Sequence, residues 1–301
     1  MLIKPRTKSC SHFILESLYY REGLSFEDKK RYENHVKGFD GEQQFDQFMN
    51  HSKLQGSVVN DLLLSSEETH YQFDSIVILS NQVNIYEVKN YTGEYSYENG
   101  GLFSKSGFNL QDPVGQVKRK KSYLHNKLLA KGYSNKINIY VVFINPDFYI
   151  YNLPPTDSIL FVGQLNRHFQ ELSRLSQPLR SQDQKLAQAL VKQHNENYRP
   201  DNLPPYHFND LRKGILCAHC SSFDYTDTRQ TRLCLSCGYK ETIADAIYRS
   251  VLEFQVLFPE IPVSVSIIYE WCGGVYSKYR IRVLLNKKMS VYPNGPKTNY
   301  S

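Results

Sequence analysis

Asp74, Glu87 and Lys89 are the residues of this chain whose types and spacing point most directly to chemistry. They lie in two apolar, strand-like runs within residues 73–90, separated by a short polar turn at Ser80–Asn81. Strand side chains alternate faces, so Glu87 and Lys89 share one. A two-residue loop at Ser80–Asn81 would set Asp74 opposite Glu87, with Cβ atoms roughly 5 Å apart. Two carboxylates and an ammonium on one sheet face outline a metal-dependent hydrolase site. Hard oxygen ligands suit Mg²⁺, which can bind a phosphoryl oxygen and activate water. A lysine two residues after the second carboxylate can hold that water or neutralise the developing charge. A cross-strand salt bridge is the plainer account of the same residues. Against it, both strands are apolar enough to be buried, where charges need partners.

Two further residues fit the constellation. Glu42 lies on the side of a helix that also carries Phe45 and Met49, and a carboxylate facing inward wants a cation. Its alternative role is to complement the helix dipole from the first turn. Gln116 opens a basic helix on a face shared with Lys120 and Tyr123, where it can orient water or phosphate or serve as a polar surface residue.

Cys217-Ala-His-Cys220 and Cys234-Leu-Ser-Cys237 form two Cys-x₂-Cys knuckles, the spacing of one structural Zn²⁺ site of zinc-ribbon type. Four thiolates complete a tetrahedron without His219 and leave no open position, so the expected role is folding and not catalysis. Cys10 and Cys272 read as ordinary thiols.

The elements that must position these groups alternate helix and strand. A helix near Gly41–Asn50 precedes strands near 57–64, 71–79 and 83–90 and a Gly-rich turn at Gly100–Gly101. Asp112-Pro113 is a helix start, with Asp as N-cap and Pro at the first helical position, and Gly132 is a plausible end. Strands at Ile137–Asn145 and Ser158–Val162 follow. This order predicts an α/β core with a mixed sheet. The expected organisation is a helical entry over 1–37, the core over 38–163 and a helical connector and linker over 164–212. In the connector, Leu165, Phe169, Leu172, Leu175, Leu186 and Leu190 are the apolar residues. A zinc ribbon over 213–240 and a three-helix module over 241–301, with a frayed tail from Pro293, complete it.

Gly41-Glu42, Asp74, Glu87-Val88-Lys89-Asn90-Tyr91-x-Gly93 and Pro113-x-x-Gln116 together resemble the nuclease-related domain (NERD) family of the PD-(D/E)xK restriction-endonuclease-like superfamily. The resemblance covers about residues 38–160. It implies an αβββαβ core, Mg²⁺ (or Mn²⁺) at Asp74 and Glu87, Lys89 as catalytic lysine, and Glu42 and Gln116 in support. Leu102-Phe103 stands where many members carry Trp, and no Tyr stands four residues after Gln116 as in related RecB-type nucleases.

The 301 residues carry a formal charge of +6, with 41% hydrophobic and 13% aromatic residues, enough for real cores. No acidic residue occurs from Pro113 to Pro146 or from Trp271 onward, which suggests an anionic partner, with DNA foremost and RNA open. Lys118, Arg119, Lys120 and Lys121 would follow a phosphate backbone, or form a solvated helix face. Helices near Ile243–Phe258, Val263–Cys272 and Ser277–Lys288, broken at Gly273-Gly274, resemble a helix-turn-helix. Ser277, Lys278, Tyr279, Arg280, Arg282 and Lys287 would then lie on or near its recognition helix; a trihelical packing module is the alternative. The N-terminus lacks the apolar stretch of a signal peptide and no run spans a bilayer, so a cytoplasmic protein with no membrane partner is expected. A non-cleaving DNA-binding regulator is the alternative to a nuclease, and the oligomeric state is left open.

Overall fold

The computed structural model describes the chain except residues 53, 67, 68, 81, 99, 100, 106–108, 111, 197, 295, 296 and 301, and only the backbone of 109, 175, 293, 294 and 297. The expected turn residues Asn81 and Gly100 and the side chain of Leu175 therefore lie outside the described residues. The elements begin with β1 (Leu2–Lys4), α1 (Cys10–Tyr20), α2 (Phe26–His51), β2 (Ser57–Ser65), β3 (His70–Leu79) and β4 (Gln82–Lys89). They continue with β5 (Gly93–Glu98), β6 (Gly101–Ser104), β7 (Asn109–Leu110), α3 (Pro113–Leu129), β8 (Lys136–Phe143), β9 (Phe148–Tyr151) and β10 (Ile159–Phe161). Then come α4 (Leu165–Leu175), α5 (Ser181–Val191), β11 (Tyr225–Asp227), β12 (Thr231–Cys234) and β13 (Lys240–Thr242). The last are α6 (Ile243–Leu257), α7 (Val265–Trp271), α8 (Lys278–Lys288), β14 (Val291–Asn294) and β15 (Lys297–Tyr300).

Two compact units share this chain, and neither is contiguous: one takes Met1–Ser9 and Asn34–Tyr198, the other Cys10–Glu33 and Arg199–Ser301. The first is built on a mixed six-stranded sheet of order β1-β2-β3-β4-β8-β10. β2, β3 and β4 are antiparallel neighbours, and β8 runs parallel to β4. The succession α2-β2-β3-β4-α3-β8 is the αβββαβ core. Inserted after β4 and again after β8 is a small sheet of order β7-β6-β5-β9, in which β5 and β9 pair in parallel.

Alternating apolar residues split the core into two layers. Ile76, Ile78, Val83 and Ile85 pack with Val117, Leu124 and Leu128 of α3 and Leu186 and Leu190 of α5. Val77, Leu79, Tyr86 and Val88 pack with Phe45 and Met49 of α2 and Leu165 and Phe169 of α4. The helices expected as a connector are thus structural layers of the first unit, because their apolar stripes cover the sheet. The N-terminal segment also departs from a purely helical entry. Leu2 and Lys4 register with Val58 and Val59, making β1 an edge strand. Asp112 caps α3, its Oδ1 accepting from Val114 N at 3.0 Å.

His168 of α4 gives this core a pH dependence. Its Nε2 lies 3.0 Å from Tyr86 Oη, and burial pushes its pKa down from 6.5 to about 4. The unfolded chain therefore binds the proton more readily. Stability is whole above the ordinary histidine value and is lost as pH falls from 6.5 towards 4. Taking the protein from pH 7 to pH 5 is expected to remove about 2 kcal/mol through this residue. Urea melts of wild type and His168→Gln check it: equal pH slopes would contradict the assignment.

In the second unit, β11, β12 and β13 form an antiparallel sheet, followed by α6, α7 and α8. Thr242, Ser264 and Ser277 cap the three helices through their side-chain oxygens. Gly273 and Gly274 turn the chain between α7 and α8 with φ of +76° and +71°. A Cβ on Gly273 would stand 3.2 Å from Gly214 Cα, so the close approach of loop 213–214 also requires glycine there. The tail expected to fray instead forms the β14–β15 hairpin. Tyr300 is buried, donates its N–H to Val263 O at 3.0 Å and its hydroxyl to Asn286 Oδ1 at 3.0 Å. Among the described residues no helix is long and apolar enough to cross a membrane.

Candidate functional site

The β3–β4 hairpin pairs Leu79 with Gln82 and continues to Ser75 opposite Tyr86, so Asp74 is the next position, facing Glu87. Both carboxylates are buried, 8% and 3% exposed. Asp74 Oδ2 accepts from Val88 N at 2.8 Å, and among the described residues no hydrogen bond reaches its other oxygen. Glu87 is held by two ammoniums, Lys89 at 2.8 Å to Oε1 and Lys120 of α3 to Oε2. Burial, then the charge of Glu87, pushes Asp74 up to about 6. Burial acts on Glu87 in the same sense, but Lys120 and Lys89 outweigh it and hold the group below its ordinary value.

On the neighbouring strand the ladder pairs Asn60 with Ser75 and Leu62 with Phe73, skipping Asp61 opposite Asp74. Asp61 has φ +49°, the left-handed region, where a non-glycine residue stores strain. Val59 and Leu62, of opposite parity along β2, both enter the same core cluster, so the strand turns over at this point.

Glu42 reaches the site from α2, which can approach because Gly41 has no side chain. A Cβ there would lie 2.7 Å from Asn90 Cβ and 3.0 Å from Ile144 Cγ2. Burial, then the charge of Asp74, pushes Glu42 up to about 8, although Arg6 Nη1 donates to its Oε2 at 2.6 Å. Arg6 does not compensate fully because Asp46 and Asp61 share it. The cluster therefore crowds carboxyl groups beside an open oxygen of Asp74.

Residues 37–144 match the nuclease-related domain (NERD) family. No curated protein and no solved structure matches the chain. The NERD segment holds Glu42, Asp74, Glu87, Lys89, Gln116 and Lys120, and indicates a nuclease-related function with a nucleic-acid partner.

The hard oxygens of Asp74 and Glu87 fit a small divalent cation by type. Glu87 would have to release an ammonium to serve, and among the described residues no three carboxylates converge within 4.8 Å. Gln116 lies one turn before Lys120 on α3, hence on the same face. Lys118, Arg119 and Lys121 are exposed. Lys120 departs from the expected row of four on a phosphate backbone: it is 8% exposed and turned onto Glu87. Its spacing of three after Val117 and four before Leu124, both core residues, puts it on the inward face of α3. Arg6, Asp46 and Asp61 were missed altogether; Asp46 alone had a local signal, standing one helical turn after Glu42.

The four cysteines bring their Sγ atoms within 4.8 Å of one another in the second unit. Cys217 and Cys237 are 3.7 Å apart and Cys220 and Cys234 3.6 Å, far beyond a disulfide and close to the roughly 3.8 Å edge of a tetrahedron with 2.3 Å metal–sulfur bonds. The cluster has the geometry to hold a structural metal such as zinc. Cys234→Ser is expected to abolish metal retention and melt β11–β13, read by elemental analysis and circular dichroism. A wild-type sample that folds equally well without metal would refute it. On α8, Lys278, Tyr279, Arg282 and Lys287 are exposed, as is the capping Ser277. Arg280 is half-buried, its Nη2 donating to Arg229 O at 3.3 Å.

Proposed function

We propose that this protein is a metal-dependent nuclease that hydrolyses phosphodiester bonds in DNA. The observation that carries the reading is the buried Asp74–Glu87 pair with Lys89 on Glu87, inside the segment that matches the nuclease-related domain. Asp74 and Glu87 would hold Mg²⁺ (or Mn²⁺), with Glu42 completing the carboxylate cluster. When bound, the cation supplies Lewis-acid polarisation of the phosphate and a more acidic water. Lys89 has three N–H donors and gives one to Glu87, leaving two for the attacking water or a phosphate oxygen. Gln116 orients the same groups from α3, while Lys118, Arg119 and Lys121 bind the backbone.

In the second unit, one Zn²⁺ on Cys217, Cys220, Cys234 and Cys237 fixes a ribbon, and α6–α8 act as a helix-turn-helix-like DNA-binding module. Ser277, Lys278, Tyr279, Arg280 and Arg282 face phosphates and base edges. Replacing Lys278 and Arg282 together by Ala is expected to weaken DNA binding and reduce the salt slope of log Kd by about 2. Titrations at several salt concentrations check this; an unchanged slope would place the DNA elsewhere.

One observation favours a second reading, a DNA-binding scaffold that does not cut: both Glu87 oxygens are taken by lysines. Wild type and Asp74→Ala, assayed on labelled DNA and RNA with Mg²⁺ or Mn²⁺, decide between them. Cleavage by wild type alone supports the nuclease. Equal behaviour under every metal, with salt-sensitive binding retained, establishes the scaffold.

A further inference from the structure

Arg6 lies well before residue 37, where the family match begins, yet belongs to the same compact unit. Pairing of β1 with β2 brings the following residues alongside α2, and Thr7 N donates to Asp61 Oδ2 at 2.8 Å. The Arg6 side chain is only 4% exposed. Its fork closes on Asp46, Nε to Oδ2 at 2.8 Å and Nη2 to Oδ1 at 2.9 Å. Nη1 donates to Glu42 Oε2 at 2.6 Å and stands 3.8 Å from Asp61 Oδ1.

The network does not stop there. Asp46 accepts from Asn60 Nδ2 at 3.3 Å, and Asn60 Oδ1 accepts from buried Ser75 Oγ at 2.8 Å. Ser75 directly follows Asp74. Side-chain hydrogen bonds therefore run unbroken from Glu42 on α2 to the strand that carries Asp74. The bidentate pair with Asp46 engages two of the five guanidinium N–H groups and leaves Nη1 to be aimed elsewhere. The third contact, to Glu42, points to a role at the site, and a guanidinium can make all three at fixed angles where an ammonium cannot.

We propose that Arg6 is a positioning residue of the nuclease site, holding the Glu42 carboxylate in place beside Asp74. This rests on the proposed nuclease reading and extends it to a residue outside the family match. The test uses the zinc-loaded full chain and the variants Arg6→Lys, Glu42→Gln and their double, with two readouts: steady-state cleavage of labelled DNA, and Mn²⁺ binding by electron paramagnetic resonance with Asp74→Ala as blank. Arg6→Lys is expected to lower kcat about 10- to 100-fold with KM unchanged. The double variant should be no worse than Glu42→Gln alone, and Mn²⁺ affinity should fall in the same non-additive pattern. Wild-type behaviour of Arg6→Lys in both readouts, or effects that multiply in the double, would overturn the proposal. If wild type cuts no better than Asp74→Ala but Mn²⁺ binding shows the coupling, the nuclease reading falls and the positioning role stands. If neither readout responds, both fall. Should Arg6→Lys not fold, Asn60→Ala replaces it: reduced kcat at constant KM supports the role, and full activity refutes it.

Discussion

Asp74→Asn is expected to lower cleavage on the order of 10³-fold, since a metal clamp contributes several kcal/mol to the barrier, and to raise the melting temperature. The two effects share one cause. Asp74 is a buried carboxylate facing Glu87, and burial and that charge together lift its pKa from 3.8 to about 6. An acid with a raised pKa loses stability as pH rises through this window, so the anion is a burden above pH 6 and none near pH 4. Asparagine keeps an oxygen for Val88 N–H and removes the charge. The expected gain is about 1–3 kcal/mol at pH 8 without added divalent metal, vanishing at pH 4. Paired melts at both pH values check it. A variant that melts lower at pH 8, or still cuts, would contradict the account.

Arg21→Ala is expected to cost about 3–5 kcal/mol and to unfold the second unit first. Arg21 follows α1, is fully buried, and grips Glu253 with Nε at 3.0 Å and Nη2 at 2.7 Å. It also donates to the carbonyls of Arg212 and Gly214 and stacks with its guanidinium carbon 3.8 Å from the Trp271 ring centre. Truncation leaves the buried Glu253 carboxylate without its arginine. Calorimetry should resolve an early transition, accompanied by release of zinc from a zinc-loaded sample. Arg21→Met combined with Glu253→Leu should recover most of the loss, because removing both charges avoids the orphaned one. Failure of that rescue would assign the effect to packing on Trp271.

The hairpin of Asp74 and Glu87 was legible because period two and a two-residue loop are local properties of β-structure. The helix start at Asp112 was legible for the same reason, since a cap is a short-range bond. Arg6 was not, because its partners Glu42, Asp46 and Asp61 lie 36 to 55 residues away and no local pattern joins them. β1 was hidden by its three residues and its parallel pairing with a distant strand. Lys120 was masked by its neighbours: in a run of four basic residues, helical phase alone separates the one that turns inward. The tail misled because its polar composition outweighed one residue, Tyr300, whose burial holds the last hairpin.

The interleaving of the two units sets an order on synthesis. Residues 1–9 and 34–198 suffice to close the first unit while the rest of the chain is still being made. α1 emerges early, but α6, on which it packs, and Glu253, which Arg21 grips, come in the final third. At ordinary translation rates the wait is on the order of ten seconds. Through that interval Ile14, Leu15 and Leu18 have no native surface to cover them. A nascent chain paused near residue 200 should therefore be a chaperone client through its first helix, and cease to be one once the C-terminal helices leave the ribosome.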